Sequence, residues 1–317
     1  MEEIESFIRQ WRDDSPYIVA HTSGSTGTPK EIRLLKEDMR MSARATNAFF
    51  GVGSDSILAL PLSVSYIAGK MMVVRALEAG CRLLPLPVSN HIDLDGMPGP
   101  VDLLPVVPSQ VDSLVAVPVL KDRVRNILAG GAALSDSRAE ALASTGVKAY
   151  IGYGMTETCS HVALSEIDGP LDGAPRLYHA MPGISFAKDS RGCLEIVAPH
   201  FSFGRLTTND IVELTATDSF RWLGRYDNVI NTGGIKLFAE DIERLYAPAL
   251  GDRDYFVKGE PDDKWGTALV LVVEGRDEEA PEIGRRLDAL GLDHVRLPKK
   301  IRMLASLPRT ANGKIRR

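Results

Sequence analysis

Residues 21–30 read HTSGSTGTPK, directly after the apolar YIVA. Hydroxyl residues, two glycines, a proline and a lysine in so short a run are suited to holding an anion. Glycine frees backbone N–H groups, and these can surround phosphate oxygens together with Ser/Thr hydroxyls and an ammonium. The spacing excludes the commonest phosphate loops. Gly24 and Gly27 have two residues between them where a Walker A loop needs four, and Lys30 follows a proline rather than a glycine. The three glycines of the dinucleotide fingerprint are also absent. Taken alone, the stretch also reads as a plain surface turn.

Further stretches carry chemistry in chain order. LAGGAAL offers Gly130, Gly131 and Ala132 after an apolar run, and IGYGMTET places Tyr153, Thr156 and Glu157 together. LTTNDIV offers Asp210 at the start of a strand, and GRYDNVINTGGIK supplies Arg225, Asp227, Gly233 and Gly234. KGEPDDKWGTALV precedes a strand, and PRTANGKIRR carries Lys314 behind a glycine.

The elements that must position these residues are legible from periodicity. Up to about residue 165, short apolar runs (YIVA, SILALPL, CRLLPLP, VDLLPVV, NILAG, VKAYIG) read as strands buried on both faces. Helical patterns lie between several of them: LKEDMRMSARATNAFF, YIAGKMMVVRALEAG and SDSRAEALAST, the last with Ser135 as N-cap. The alternation predicts an α/β fold with a mainly parallel sheet in a large N-terminal domain. Ligands of such sheets sit in the loops leaving the strands. From about 170 to 226, Gly, Pro and short β-prone runs predict a small β-rich subdomain within an N-terminal domain of residues 1–226. Residues 227–317 predict a small α+β domain, with FAEDIERLYAPAL and EEAPEIGRRLDALG as helices and TALVLVVEG as a strand.

Composition excludes several classes. The 317 residues are 44% hydrophobic and 25% charged, with a net charge of −5, so neither disorder nor a nucleic-acid partner is expected. Cys81, Cys159 and Cys193 form no CxxC pair, which argues against a disulfide framework or a Cys-based zinc site. The amphipathic, acidic MEEIESFIRQW is unlike a signal peptide, and no apolar run reaches membrane-spanning length. A cytoplasmic protein is the expectation.

Together and in this order, the stretches resemble the adenylate-forming superfamily of acyl- and aryl-CoA synthetases, adenylation domains and luciferases. The resemblance implies that superfamily's fold, N-terminally shortened, with ATP and Mg²⁺ required and CoA as co-substrate. A carboxylic acid would be adenylated with loss of pyrophosphate, and the CoA thiol would then displace AMP. It further implies that Thr22, Ser23, Gly24, Ser25, Thr26, Gly27 and Lys30 line the β,γ-phosphate site. Gly130, Gly131 and Ala132 would face adenine and Tyr153 would stack on it. Thr156 would contact the α-phosphate, Glu157 would hold Mg²⁺, and Asp210 with Arg225 would bind the ribose. Lys314 would be the catalytic lysine, Asp227 the hinge, and Gly233 and Gly234 the wall of the pantetheine tunnel.

Within the superfamily, PLSVSYIAGKMMVVRALEAG, VVPSQVDSLV, TETCS and the short chain are similar to the 2-succinylbenzoate–CoA ligases of menaquinone synthesis. The other readings are a ligase for a different carboxylic acid and a non-catalytic adenylate-binding relative. A second carboxylate on the acid would need a cation or hydroxyls beside an apolar pocket. Arg75, Lys70, Ser63 and Ser65 lie in the corresponding region; Arg75 interrupts the apolar MMVVRAL, which suits either a buried cation or a surface-facing one. Two departures stand out. Asn209 replaces the glycine of the usual Thr-Gly-Asp, and its tolerance of left-handed backbone should preserve a turn. The front is about twenty residues long, so either the enzyme is minimal or a second subunit, as in a homodimer, completes the pocket.

Overall fold

The computed structural model describes residues 1–21, 31–95, 97, 99–169, 174–309 and 315–317. The chain separates into two compact units. One comprises Met1–Leu171, Tyr178–Ser185 and Val197–Arg205; the other comprises Asp172–Leu177, Phe186–Ile196 and Leu206–Arg317.

The first unit begins with α1 (Glu2–Arg12), which buries Phe7 and Trp11 on one face. A hairpin follows, β1 (Tyr17–His21) against β2 (Glu31–Leu35), with His21 and Glu31 as the last cross-strand partners. This corrects the expectation for YIVA, which joins no parallel sheet. Ile18 and Ala20 point inward while Tyr17, Val19 and His21 are partly or fully exposed, so the strand is buried on one face only. The apolar outward residue Val19 hid that alternation.

Next come α2 (Lys36–Phe50), β3 (Ile57–Leu60), α3 (Ile67–Ala79) and β4 (Arg82–Pro85). α2 and α3 each end at a glycine in the left-handed region, Gly51 and Gly80, which no side chain would enter without strain. β3 and β4 run parallel, with α3 as the crossover. The main sheet of this unit uses β5 (Leu104–Val106), β6 (Asn126–Ala129), β7 (Lys148–Gly154), β8 (His161–Glu166) and β9 (Leu177–Ala180). β5, β6 and β7 are parallel, whereas β8 and β9 continue the sheet antiparallel. Between them lie α4 (Pro108–Val115), the short α5 (Leu120–Arg123) and α6 (Asp136–Ser144). Ser135 caps α6 as its sequence predicts, its hydroxyl accepting from the Arg138 N–H at 3.4 Å. β5 is fully buried and β6 is buried from Ile127 on, with α4 and α6 packed on the same core through Val111, Leu114, Ala139 and Leu142, whereas β7 alternates and is exposed at Lys148 and Gly154.

The second unit holds the β-rich stretch, in strand order β10 (Ser185–Lys188), β11 (Cys193–Ala198), β12 (Gly204–Ala216), β13 (Ser219–Arg225). Beyond it, β14 (Val229–Thr232) and β15 (Ile235–Phe238) form a hairpin, and α7 (Ala239–Leu250) follows. β16 (Tyr255–Asp262), β17 (Gly266–Glu274), α8 (Ala280–Asp288) and β18 (Lys300–Leu304) complete it. β17 is central, antiparallel to β16 and parallel to β18. Its Leu269, Leu271 and Val273 meet Ile242, Tyr246, Ile283 and Leu287 of the two helices in a core. Mixed α/β architecture is thus observed throughout. Among the described residues, no helix is long and apolar enough to cross a membrane.

Candidate active site

Two of the expected stretches, Thr22, Ser23, Gly24, Ser25, Thr26, Gly27 and Lys30 in one and Lys314 in the other, lie outside the described residues. The residues flanking them are placed. His21 pairs with Glu31 across the β1–β2 hairpin, and Arg309 bridges Ile315 antiparallel.

Gly130, Gly131 and Ala132 leave the carboxyl end of β6, where ligands of parallel sheets bind. Gly131 has φ +80°, a conformation that favours glycine. The neighbouring strand β7 ends in Tyr153 and Gly154. The Tyr153 ring is half-buried, edge-on to Tyr178 with centroids 5.9 Å apart. Gly154 serves close approach: a Cβ there would lie 2.2 Å from the Ser160 carbonyl oxygen and 2.6 Å from the His161 Cα. The chain therefore doubles back tightly, through a 3-10 turn at Thr156–Thr158. The buried Thr158 hydroxyl knots the turn, accepting from the Met155 N–H at 3.0 Å and donating to the Ser160 carbonyl at 2.7 Å. Cys159, at φ +63°, absorbs the reversal. Thr156 and Glu157 sit on the outer side of this turn, half-buried, and Glu157 has no hydrogen-bond or ion-pair partner among the described residues.

The same turn delivers Ser160 and His161 to α2 and α3. Arg75, on α3, is 2% exposed. Its Nη2 donates to Ser160 Oγ at 2.5 Å and its Nη1 approaches the Met72 sulfur at 3.3 Å, while Nε is buried without a partner. No carboxylate pairs with it among the described residues. Burial lowers its pKa to about 10, so the guanidinium remains charged at neutral pH. His161 is also buried, with Nδ1 3.2 Å from Ser160 Oγ and Nε2 3.3 Å from Thr46 Oγ1. Burial, and then the Arg75 charge, hold its pKa well below the usual imidazole range. Asn47, beside Thr46 on α2, donates to the Arg75 carbonyl at 2.9 Å.

Lys70, Ser63 and Ser65 do not join Arg75. Lys70 Nζ donates to the Val64 carbonyl at 2.7 Å and lies over the Phe7 ring of α1, and burial lowers its pKa. Ser63 Oγ reaches Glu3 at 3.4 Å and accepts from the Ser65 N–H at 3.1 Å. These three shape the entry to α3, whereas Arg75 faces the turn after β7.

In the second unit Asp210 is buried at 6% exposure and accepts from Trp222 Nε1 at 3.2 Å. Its cross-strand partner Arg225 approaches the same carboxylate oxygen at 3.5 Å and Asp227 at 3.2 Å. Two expectations are corrected here. Asp210 lies in the middle of the long β12, not at a strand start: β12, which runs between β11 and β13, begins at Gly204, and its pairing with β13 starts only at Asp210. Asn209 adopts no left-handed turn; it is extended, and its side chain reaches Asp227 and Arg191 instead. Asp227 occupies a 3-10 turn at Tyr226–Asn228. Gly233 and Gly234, at φ +54° and +81°, form the two-residue turn joining β14 to β15, as a type I′ hairpin requires.

Sequence reading missed Ser160, His161, Gly154 and Glu240, whose carboxylate accepts from the Arg225 N–H and from Asn228. The signal available for the first pair was a polar Ser-His entering an otherwise apolar strand, HVAL. A cleft of about 530 Å³ opens among α1, α2 and α3, but none of the expected residues lines it. Most of its lining charges pair with each other, Lys36 with Asp13 at 2.8 Å and Arg40 with both Glu37 and Glu78 at 3.5 Å.

Comparison with known proteins bears on this geometry. A sequence model described as AMP-binding enzyme matches residues 5–185. The chain is 29% identical to a probable 2-succinylbenzoate–CoA ligase of Mycobacterium tuberculosis, covering 96% of this chain and 84% of that one. It is 26% identical to the 2-succinylbenzoate–CoA ligase of Listeria monocytogenes, covering 99% and 72%. Among solved structures, it is similar to an acyl-CoA synthetase (AMP-forming)/AMP-acid ligase II-like protein from Dyadobacter fermentans, at 33% identity, TM-score 0.65 and coverage of 99% and 91%. It shares the fold of Bacillus subtilis o-succinylbenzoate CoA synthetase in complex with ATP and magnesium, at 20% identity and TM-score 0.74, over 94% of this chain and 68% of that one.

Proposed function

The chain belongs to the AMP-binding enzyme family, as one of its adenylate-forming acyl- and aryl-CoA ligases, and on that footing we propose that it joins 2-succinylbenzoate to CoA, with ATP cleaved to AMP and pyrophosphate. The observation that carries the choice of acid is Arg75. A guanidinium 2% exposed, charged, and without a carboxylate among the described residues is costly to bury unless an anion completes it. 2-Succinylbenzoate brings two carboxylates. One reacts on its succinyl arm, and the other, on the ring, needs a cation in a dry pocket. The Arg75 Nε–H is buried without a partner, and a carboxylate reaching it would supply the missing acceptor. The two curated relatives bear the name of the same activity.

The remaining assignments follow the family resemblance. Glu157, unpartnered and half-exposed, suits one oxygen ligand of Mg²⁺, since that ion keeps several waters and takes few protein carboxylates. Among the described residues no group of three or more His, Cys, Asp or Glu side chains could hold a metal, so the phosphate oxygens of ATP would supply the other ligands. When bound, Mg²⁺ neutralises phosphate charge. Asp210, held by Trp222, presents a fixed carboxylate to the ribose hydroxyls. Lys314 supplies a positive charge to the α-phosphate as charge builds during adenylation.

The test is product mass. Purified protein is mixed with MgATP, CoA and 2-succinylbenzoate, with benzoate and a medium-chain fatty acid in parallel. A succinylbenzoyl-CoA mass with the first acid alone is expected. AMP release on another acid, with none on 2-succinylbenzoate, overturns the choice of substrate and leaves the ligase.

A further inference from the structure

Arg75 donates to a hydroxyl, and a hydroxyl can turn its proton either way. Ser160 Oγ lies 2.5 Å from Arg75 Nη2 and 3.2 Å from His161 Nδ1. If its proton pointed at Arg75, two donors would face each other and the guanidinium would be pushed aside. The neighbouring bonds decide the direction. Thr46 has one hydroxyl proton, and it goes to the Ser42 carbonyl at 3.0 Å, the ordinary back-bond of a helical threonine. Thr46 Oγ1 can then only accept from His161 Nε2, 3.3 Å away. The imidazole therefore carries its proton on Nε2 and leaves Nδ1 as an acceptor. Nδ1 takes the Ser160 proton, and the Ser160 lone pairs face Arg75.

We infer that His161, as the neutral Nε2–H tautomer, is a positioning residue for acid selection: through Ser160 it fixes the Arg75 guanidinium, whose buried Nε–H has no protein acceptor, for the second carboxylate of the substrate. This rests on the substrate reading above and extends it to Ser160 and His161, to which the resemblance gave no role. The relay is one-directional over five groups on three elements, Arg75 of α3, Ser160 and His161 at the start of β8, and Thr46 and Ser42 of α2. A protonated imidazole would reverse it, because Nδ1–H would then donate to Ser160 and turn its proton toward Arg75. Burial and the Arg75 charge both oppose that protonation. Asn47 fixes the Arg75 backbone from α2, so both ends of the arginine are held by the same helix that ends the relay.

The experiment compares 2-succinylbenzoate with 4-oxo-4-phenylbutanoate, the same acid without its ring carboxylate. The readout is the ratio of kcat/KM for the two acids, in wild type, His161→Leu and His161→Asn. Wild type is expected to favour 2-succinylbenzoate. His161→Leu is expected to lower the ratio about tenfold or more, the scale of one hydrogen bond to a charged group, through KM for 2-succinylbenzoate rather than kcat. His161→Asn, whose Oδ1 falls close to the position of Nδ1, is expected to restore most of it. Should the leucine variant fail to fold, Ser160→Ala removes the hydroxyl that links His161 to Arg75 and must lower the ratio alike. A ratio unchanged in His161→Leu or Ser160→Ala overturns the inference and leaves the substrate reading standing. A wild type that does not distinguish the two acids overturns both.

Discussion

The Asn209 side-chain amide donates to both carboxylate oxygens of Asp227, at 3.2 and 3.5 Å. The residue that departs from the family's Thr-Gly-Asp therefore touches the residue expected to act as the hinge. A glycine could not make this contact. Asp227 also receives Arg225 at 3.2 Å, so two donors from β12 and β13 restrain it. Removing the amide by Asn209→Gly should cost less than about 1 kcal/mol, because the pair is exposed. If the hinge turns between half-reactions, thioester formation from supplied acyl-adenylate should speed up relative to adenylation. Separate single-turnover rates for the two steps check this; an unchanged ratio means that the amide does not restrain the hinge.

Lys314 lies outside the described residues, so its role is tested by kinetics. Lys314→Ala should lower the adenylation rate on the order of 10²–10³, as the loss of one charge-stabilising donor does. Thioester formation from supplied acyl-adenylate should fall far less. Equal losses in both steps would refute a role confined to adenylation.

The pKa of His161 is depressed on folding, so the unfolded chain binds the proton more readily. Its contribution to stability is complete above the ordinary imidazole value near 6.5 and is lost as pH falls toward the depressed folded value. Wild type should lose up to about 1.4 kcal/mol per pH unit from this group below pH 6.5. Thermal melts between pH 7.5 and 5 on wild type and His161→Asn test it. The variant's curve should be flatter across that window, and parallel curves would show that His161 does not titrate with folding.

How much of this could be read from the sequence depends on how local the cause is. Helices α2, α3, α6 and α7 were legible because an apolar stripe and a cap are local properties. The Gly130–Gly131 turn after β6 was legible because it demands particular residue types, whereas the Gly233–Gly234 hairpin was not: by resemblance alone the pair reads as a tunnel wall. Arg75 was legible only as a choice between surface and core; in the fold it is buried, and its guanidinium meets Ser160, 85 residues away. Ser160 and His161 were not legible, since their partners on α2 and α3 lie more than 80 positions away and no spacing rule links them. The mid-strand position of Asp210 was missed for the same reason: β12 already runs from Gly204, between β11 and β13, before Asp210 opens the pairing with β13.

Gly154 offers a steric test of the turn. A methyl group there would lie 2.2 Å from the Ser160 carbonyl oxygen, backbone that cannot swing aside. Gly154→Ala should cost about 2–3 kcal/mol or more through overpacking. It should also raise KM for 2-succinylbenzoate, because the displaced backbone carries Ser160 away from Arg75. Melting temperature and KM measured together check both parts; a normal KM in a destabilised variant would separate the turn from the acid site.

Arg75 separates a binding role from a structural one, since the two predict opposite signs. A structural arginine would be missed when removed. Arg75, however, is desolvated and unpaired by any carboxylate among the described residues, and burial alone pulls its pKa down to about 10. Arg75→Met, similar in length and apolar, removes that penalty and leaves the Ser160 hydroxyl bonded to His161. Exchanging a buried charge for a well-packed apolar side chain commonly stabilises by about 1–4 kcal/mol. The variant should therefore melt several degrees higher while kcat/KM for 2-succinylbenzoate falls at least about a hundredfold, as a lost buried ion pair with substrate implies. A higher melting temperature with lost turnover is the signature of a residue retained for its ligand. A lower melting temperature would instead mean that the fold needs the cation, and the acid site would have to be sought elsewhere.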